Sequence, residues 1–369
     1  MRGLALTSVV ANSAIIVTGA AVRLSQSGLG CPDWPACTTR SLVATHTPGQ
    51  TLVNTWVEFT NRLLTFVVMA VAVAVFLAAW RLRPAGPSGP SDPVGGAGGE
   101  SRGARRADLV WLAAAQPTGV LLQAVLGGIT VLTALNPAMV SVHFLVSMAI
   151  VAVTVVLYVR CGELYTRFGE PAAPARSPAR SPARSPVRPD LRVLSTLVIA
   201  MAGLMFAAGT VVTGTGPLAG NAAAPRYHLP LEGVTQLHAD IGWLFGGLAV
   251  ALAVGLKLTG APARAVRLGW VLLAVMGVQG ALGYTQYFTG LPPVLVGLHV
   301  LGSVLVWITA LLLFFALRDP GAGPASAADR AVAAPATAAD PAGGADPATA
   351  ADAARGGDAA AAADAAPSL

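Results

Sequence analysis

The sequence predicts an all-α polytopic membrane protein, in which eight transmembrane helices form two tandem four-helix-bundle repeats related by a pseudo-two-fold axis along the membrane normal. Three observations support this fold class. The 369 residues are 54% hydrophobic and only 11% charged, with a mean hydropathy of +0.66, which is far from the composition of soluble globular proteins. Long apolar runs follow one another along the chain, and a long motif of the first half recurs in the second half.

Each apolar run is long enough to cross a bilayer, which takes about 20 residues. The first run follows Arg2 and ends without a small-residue cleavage site, so we expect a retained span and not a removed signal peptide. The predicted spans are residues 4–24, 55–80, 109–132, 139–160, 192–213, 235–258, 264–287 and 294–317.

Arginine placement predicts the orientation of these spans. Basic residues are concentrated in segments 81–108, 160–192 and 257–267, whereas the alternate loops carry few of them. Because basic loops stay in the cytoplasm, the protein is predicted to lie in the cell membrane, surrounded by lipid, with both termini cytoplasmic. The net charge of +6 then reflects topology, and no nucleic-acid partner is expected.

The composition divides the chain into four parts. Residues 1–160 form the first repeat, including an outer loop at 25–54, and residues 192–317 form the second repeat. An Arg/Pro/Ser-rich cytoplasmic linker (161–191) lies between them, and an Ala/Asp/Gly/Pro-rich tail (318–369) follows. Segments of this composition cannot bury a core, so the linker is predicted to be flexible and the tail disordered.

The repeat is visible in two pairs of segments. "QAVLGGITVLTALNPAMVSVH" (123–143) matches "QGALGYTQYFTGLPPVLVGLH" (279–299), and "VEFTNRLLTFVVMAVAV" (57–73) matches "VTQLHADIGWLFGGLAV" (234–250). Since four spans are an even number, both halves have the same orientation. A ligand at the axis, or one ligand in each half, is therefore expected.

Histidines inside the spans are the first candidates for function, because ionisable residues are costly in a membrane. His143 and His299 are equivalent in the repeat, and His238 is equivalent to Asn61. All four follow the outer start of an even-numbered span by one or two turns, which places them in one layer. Facing neutral imidazoles in an apolar bundle are typical of a six-coordinate heme site. The alternatives are hydrogen bonds between helices and, less favoured for lack of nearby thiolates or carboxylates, zinc.

Glu58 is the second candidate, because it shares a helix face with Asn61 and Arg62. A buried glutamate beside a bound ligand is suited to taking or giving protons. The alternative is an ion pair between Glu58 and Arg62, four residues apart, and the two roles are compatible.

Taken together, these motifs resemble the heme A synthase family. The resemblance covers about residues 4–317 and rests on the outer loop "VRLSQSGLGCPDWPAC", the following "VEFTNRLLT" and the span histidines. It implies an eight-span enzyme of cytochrome oxidase assembly that oxidises a ring methyl of heme O to the formyl of heme A by successive hydroxylations. It also implies heme b as a cofactor in the second half and substrate heme O in the first.

The resemblance assigns roles to individual residues. His238 and His299 would be the axial ligands of heme b, His143 would face the iron of the substrate heme, and Glu58 would be the acidic residue needed for turnover. Implied partners are heme O synthase, oxidase assembly factors and an electron-transfer partner.

One position departs from the family pattern, which commonly has Glu-x-x-His-Arg on the second span. Here Asn61 stands at the histidine position, on the opposite face of the substrate heme from His143, and an amide is a weak iron ligand. The substrate iron is therefore expected to have one protein ligand and an open or asparagine-lined face. The alternatives are that His46 folds in from the outer loop, or that the protein is an altered relative. Loop histidines such as His46 and His228 are more often solvated.

The part of the outer loop that contains Cys31 and Cys37, here called the cysteine loop, is predicted to lie outside the cytoplasm. A disulfide between these two cysteines can persist there. The resemblance likewise implies an outer-loop cysteine pair. The second half lacks these cysteines, so we interpret the loop as a lid or redox-sensitive cover over the substrate-heme site.

Other charged residues near the span ends have weaker assignments. Arg23, Arg62 and Arg226 lie at the depth of the histidine layer, where arginine suits heme propionates but also snorkels to the interface. A propionate contact is predicted for Arg62 only. Asp240, two residues after His238, is interpreted as part of a polar network.

Two competing functions use the same sequence features. A non-enzymatic heme b electron carrier would use the same histidines, but Glu58 and the incomplete histidine pair of the first half argue against it. A transporter with duplicated halves would have helices broken at mid-membrane, whereas Pro137 and Pro293 lie at span starts.

Overall fold

The structure is a computed structural model that describes residues 1–45, 49–82, 98–168 and 187–318, with the backbone alone at 98–106 and 163–168. Within these residues the chain forms eight α-helices, each long and apolar enough to cross a membrane. This confirms the predicted all-helical, eight-span fold class. The helices are α1 (Arg2–Leu24), α2 (Leu52–Trp80), α3 (Gly98–Leu132), α4 (Pro137–Phe168), α5 (Pro189–Thr215), α6 (Leu231–Leu258), α7 (Ala263–Phe288) and α8 (Pro293–Ala316).

Several helices begin earlier than the apolar runs predicted, because residues outside the run cap them. α4, α5 and α8 begin at a proline, which suits the first turn because its missing N–H would have no intrahelical partner there. At the start of α2, the Thr51 side chain accepts the backbone N–H of Asn54, a typical N-cap bond.

The helix α4 extends beyond residue 161, where the linker is predicted to begin. α4 continues to Phe168, because the sequence has no proline between Pro137 and Pro171. The rest of the linker up to 186, and the tail from 319, lie outside the described residues.

Helix contacts close two rings of four helices. In the first ring α1 contacts α2 and α4, and α3 contacts α2 and α4; in the second, α5 contacts α6 and α8, and α7 contacts α6 and α8. Consequently α2 faces α4, and α6 faces α8, across the centre of each ring. The rings meet through α1, α4, α5 and α8, where the Trp307 indole N–H donates to the Met148 carbonyl at 2.8 Å.

The short turns α3–α4 and α7–α8 are built alike. Leu135 and Leu291 occupy equivalent positions with φ of 61° and 60°, and each backbone N–H donates at 2.8 Å to a carbonyl five residues earlier, that of Thr130 or Gln286. Positive φ is costly for leucine, so its recurrence supports the alignment of these two segments. The pseudo-two-fold axis relating whole halves stays a prediction.

Candidate functional site

Two of the predicted histidines face each other inside the second ring. His238 on α6 and His299 on α8 have ring centres 6.4 Å apart, with ring planes at 62°. This separation leaves room for one metal ion bonded to a nitrogen of each ring at about 2 Å per bond. Since two imidazoles supply only two ligands, iron bound here would take its other ligands from a macrocycle.

A glycine on the neighbouring helix makes room for each of these rings. A Cβ at Gly209 of α5 would lie 3.1 Å from Cε1 of His238, and a Cβ at Gly283 of α7 would lie 3.2 Å from Cε1 of His299. Both distances are tighter than ordinary contacts, so an added Cβ would require the imidazole to shift by a few tenths of an ångström.

The first ring has the same arrangement with one substitution. A Cβ at Gly127 of α3 would lie 3.4 Å from Cε1 of His143, and a Cβ at Gly19 of α1 would lie 3.9 Å from Nδ2 of Asn61. Asn61 therefore occupies the place that histidines occupy on the other even-numbered helices. At this position the two rings differ in the chemistry of the side chain and not in where the side chain lies.

The polar atoms of this layer are buried without partners in the chain. Within the described residues, Nδ1 of His143, His238 and His299 and Oδ1 of Asn61 are buried and make no hydrogen bond to the protein. Buried polar groups are normally paired, so these unpartnered nitrogen and oxygen atoms fit a layer that holds a polar or metal-containing ligand.

Glutamines fix the backbone at two of the histidines. Nε2 of Gln279 donates to the His299 carbonyl at 2.7 Å, and Nε2 of Gln123 donates to the His143 carbonyl at 2.9 Å. Gln123 also donates to the Ser147 hydroxyl. These glutamines are the first residues of the matching segments 123–143 and 279–299. The alignment therefore paired them, but sequence reasoning assigned them no role.

Glu58 lies against the cysteine loop. Its side chain is buried; Oε2 accepts the Cys31 backbone N–H at 2.8 Å, and Oε1 accepts an N–H of Arg62 at 2.6 Å. The predicted ion pair between Glu58 and Arg62 is thus present. The carboxylate binds the loop and the ion pair simultaneously.

Arg62 makes five hydrogen bonds, one for each of its N–H groups. Two go to Oε1 of Glu58, and the others go to the backbone carbonyls of Cys31, Asp33 and Ala36 at 2.5, 2.8 and 3.1 Å. Because every donor already has an acceptor in the chain, this arrangement disfavours the propionate contact predicted for Arg62.

The loop itself is closed by the predicted disulfide between Cys31 and Cys37. Both half-cystines are buried. The Trp34 ring lies against Gly128 of α3, where a Cβ would come within 2.5 Å of the indole. Sequence reasoning missed this contact, although the repeat places Tyr284 at the position equivalent to Gly128, which marks the glycine as special to the first half.

The remaining candidates make hydrogen bonds of their own or lie in loops. Arg23 and Arg226 each donate to a backbone carbonyl, those of Leu218 and Gly216. His228 is exposed in the α5–α6 loop, and His46 lies outside the described residues. Asp240 accepts a hydrogen bond from Gln236 at 2.7 Å, in agreement with its interpretation as part of a polar network.

The fold and the site define a helical multi-pass membrane protein with two histidines facing each other inside its second helix ring. The chain belongs to the COX15-CtaA family of cytochrome oxidase assembly proteins, whose family model matches residues 2–311. A role in cytochrome oxidase assembly follows from that membership. No curated protein matches the chain.

Proposed function

We propose that this protein is a heme A synthase, which oxidises a ring methyl of heme O to the formyl group of heme A. Family membership supports the pathway, since the family assembles cytochrome oxidase. The observation that carries the proposal is the layer of three histidines and Asn61, each placed beside a glycine. Such a layer offers one complete and one incomplete pair of axial ligands.

In this proposal the two rings have different tasks. His238 and His299 would hold heme b as a resident cofactor, and His143 would hold the substrate heme O with Asn61 on its other face. Heme iron supplies the redox chemistry of the reaction when bound. The helices keep the layer away from water, and Gln123 and Gln279 hold the histidine backbones in place.

Glu58 is the residue to which we assign proton transfer. A proton taken up at Oε2 would weaken the bond from the Cys31 N–H, which now donates to that oxygen. Proton uptake at Glu58 would therefore loosen the loop, and closing the loop would favour the ionised carboxylate. This couples the catalytic group to the lid-like role proposed for the cysteine loop.

The same proposal places the protein in the cell membrane with both termini in the cytoplasm, as the arginine distribution predicts. Heme O synthase would supply the substrate, and oxidase assembly factors would receive the product. An electron-transfer partner would complete the oxidation.

Expression of the full chain with a source of heme O tests the proposal. Extracted pigments are examined by mass spectrometry for heme A, and bound heme b is measured by absorbance. Wild type should make heme A, whereas Glu58→Gln should lose about hundredfold in yield, as expected for removal of an acid–base group, and keep heme b. His228→Ala, at the exposed loop histidine, should behave as wild type.

Two outcomes would contradict the proposal in whole or in part. A wild-type protein that binds heme b and makes no heme A overturns the proposal and supports the electron-carrier alternative. A Glu58→Gln protein with full turnover removes the proton-transfer assignment alone.

A further inference from the structure

Arg192 and Arg318 lie together at the end of the second ring that is opposite the histidine layer. Arg192 is in the first turn of α5, and Arg318 follows the last residue of α8, Ala316, by two positions. Nη2 of Arg318 donates to the Arg192 carbonyl at 2.9 Å. Arg192 precedes Gly209, beside His238, by 17 residues, which corresponds to about 25 Å of helix. The two arginines are therefore remote from the proposed heme site.

The first ring has a single arginine at the corresponding place. Counting along each helix from the glycine or histidine of its layer pairs Arg2 with Arg192, Tyr158 with Phe314, and Gly162 with Arg318. Arg2 donates to the Tyr158 hydroxyl at 3.4 Å and lies over the Tyr158 ring. A Cβ at Gly162 would lie 3.8 Å from Nε of Arg2. The aromatic residue of α4 thus serves as the partner of Arg2.

In the second ring Arg318 takes the aromatic partner instead. Its Cζ lies 3.5 Å from the centre of the Phe314 ring. Its Nη1 and Nη2 donate to the hydroxyls of Ser195 and Thr196 and to the carbonyls of Arg192 and Phe314. Phenylalanine has no hydroxyl to accept a bond, and Nε of Arg192 is buried without a hydrogen-bond partner in the described part of the chain. Arg192 therefore lacks the partner that Arg2 has.

The charges of the two guanidinium groups are not balanced by a carboxylate of the described residues. Asp190, close to both in the fold, is already paired with Arg188 at 2.8 Å. Burial, and then the charge of Arg192, lower the pKa of Arg318, as expected for two cations held near each other. Such a pair favours a bound anion, and the planar fork of a guanidinium suits phosphate.

We propose that Arg192 and Arg318 bind the phosphate group of an anionic lipid headgroup. Arg192 supplies the unpaired N–H, and Arg318 supplies a charge that its bonds to α5 hold in place. Basic pockets between membrane helices on the cytoplasmic side are typical of lipid headgroup sites, and the arginine distribution predicts that this end is cytoplasmic. The inference is independent of the proposed heme chemistry.

The neighbouring surface favours a lipid over a free phosphate ion. Val193 and Leu197 directly follow Arg192 and Thr196 on α5, and their side chains are 61% and 50% exposed. This surface offers apolar contacts to an acyl chain below the headgroup, and a free ion gains nothing from it. A lipid bound here joins the first turn of α5 to the end of α8.

Native mass spectrometry of the full-length protein, purified in a maltoside detergent that carries no phosphate, tests the proposal. Phosphatidylglycerol, an uncharged galactolipid and inorganic phosphate are titrated separately. Wild type should retain phosphatidylglycerol in preference to the other two, and Arg192→Gln should weaken its binding by about tenfold or more. The substitution keeps the main-chain carbonyl to which Arg318 donates, so the contact between α5 and α8 should persist.

Arg264→Gln is the matched control. Arg264 is exposed in the first turn of α7, at the same end of the second ring, and α7 does not contact α5 in the described structure. The variant removes the same charge, and the affinity should change by less than about twofold because a distant exposed charge is screened. Circular dichroism reports folding of every variant. If Arg192→Gln does not fold, Arg192→Lys decides the result, since it keeps the charge and should still bind more weakly than wild type.

Three outcomes would overturn the inference. Equal losses in Arg192→Gln and Arg264→Gln would show a general attraction of the basic end and no site at Arg192. Galactolipid binding as tight as that of phosphatidylglycerol would exclude recognition of the phosphate. Inorganic phosphate that binds at Arg192 and displaces the lipid would overturn the assignment to a lipid headgroup. None of these outcomes bears on heme A synthesis.

Discussion

Asn61 is an amide in a position built for an imidazole. Gly19 leaves space beside it, as Gly127, Gly209 and Gly283 do beside the three histidines. At these four positions the first ring therefore differs from the second by one side chain. In the proposed function, this difference separates a binding site for substrate from one for a permanently held cofactor.

Asn61→His should complete the second pair of axial ligands. We expect the protein to hold a second low-spin ferric heme, because the glycine beside residue 61 leaves room for the larger ring. Electron paramagnetic resonance and heme content per chain measure this gain. Asn61→Gln keeps the amide and should show a single low-spin heme; a single low-spin heme in Asn61→His would contradict the equivalence.

Gly283→Ala should displace the His299 imidazole. The added Cβ would lie 3.2 Å from Cε1, and overpacking of this kind costs about 1–3 kcal/mol. We expect heme b affinity to fall by roughly tenfold to a hundredfold, measured by titration of heme-depleted protein.

Gly280→Ala provides the control on the same helix. A Cβ at Gly280 meets no atom within 4 Å, and alanine favours helix, so heme b affinity should not change. Similar losses in both variants would show that α7 tolerates no substitution and would remove the specific role of Gly283.

At the scale of single residues, the sequence singled out the three histidines and Asn61 but not the residues that surround them. The equivalence of His143 and His299 follows from the repeat, and the structure places Asn61 in the same frame. The glycines were missed because a glycine in a helix has many explanations, and only the neighbouring helix reveals what its missing Cβ admits. The use of all five N–H groups of Arg62 likewise depends on the fold of the loop.

Among the structural elements, the cysteine loop is held by α2. Arg62 donates to three of its carbonyls, and Glu58 accepts the Cys31 N–H. A helix of the membrane bundle thereby fixes a segment that has little regular structure of its own. The position of the loop is therefore tied to the position of α2.

Arg62→Lys should release this loop. A lysine has three donors on one nitrogen and cannot replace the five hydrogen bonds that the guanidinium makes to four acceptor atoms, so we expect a local loss of about 1–3 kcal/mol. Hydrogen exchange of the loop amides, including Cys31, should accelerate by roughly tenfold or more.

Arg40→Lys is the comparison, since Arg40 lies exposed on the same loop. Its exchange rates should match those of wild type. Unchanged protection in Arg62→Lys would mean that the disulfide alone holds the loop.

The elements themselves were largely predictable, because 20-residue apolar runs in this chain have few alternatives to membrane helices. Their ends were not. Apolar runs omit the polar or proline residues that begin a helix, such as Thr51 and Pro137, and they omit the polar last turns of α4. Hydropathy reports where the bilayer is expected to lie, while hydrogen bonding determines where the helix ends.

At the scale of the whole molecule, orientation is the main prediction left by the sequence. Alkaline phosphatase fused after Arg318 or within the α6–α7 turn at Gly260 should be inactive, because the basic segments keep both sites in the cytoplasm. The same enzyme inserted at Gly49 should be active. Fluorescent-protein fusions at the same sites should give the opposite pattern, and an active phosphatase after Arg318 would contradict the topology.

The relation between the two rings was only partly predictable. The repeat motifs indicated two halves, and contacts group the helices into two rings of four. Which helices join the rings depends on side-chain packing around Trp307 and the apolar cluster that surrounds it. No pairwise pattern in the sequence distinguishes those helices from the others.

The hold of α2 on the cysteine loop has an evolutionary consequence. Glu58 and Arg62 contact the loop only through main-chain atoms, at Cys31, Asp33 and Ala36. The contacts from α2 therefore do not depend on the side chains of Asp33 and Ala36, although the Asp33 carboxylate itself accepts the Trp34 backbone N–H within the loop. A loop anchored in this way can acquire new side chains, and with them new partners at the membrane surface, without disturbing the helix that carries Glu58.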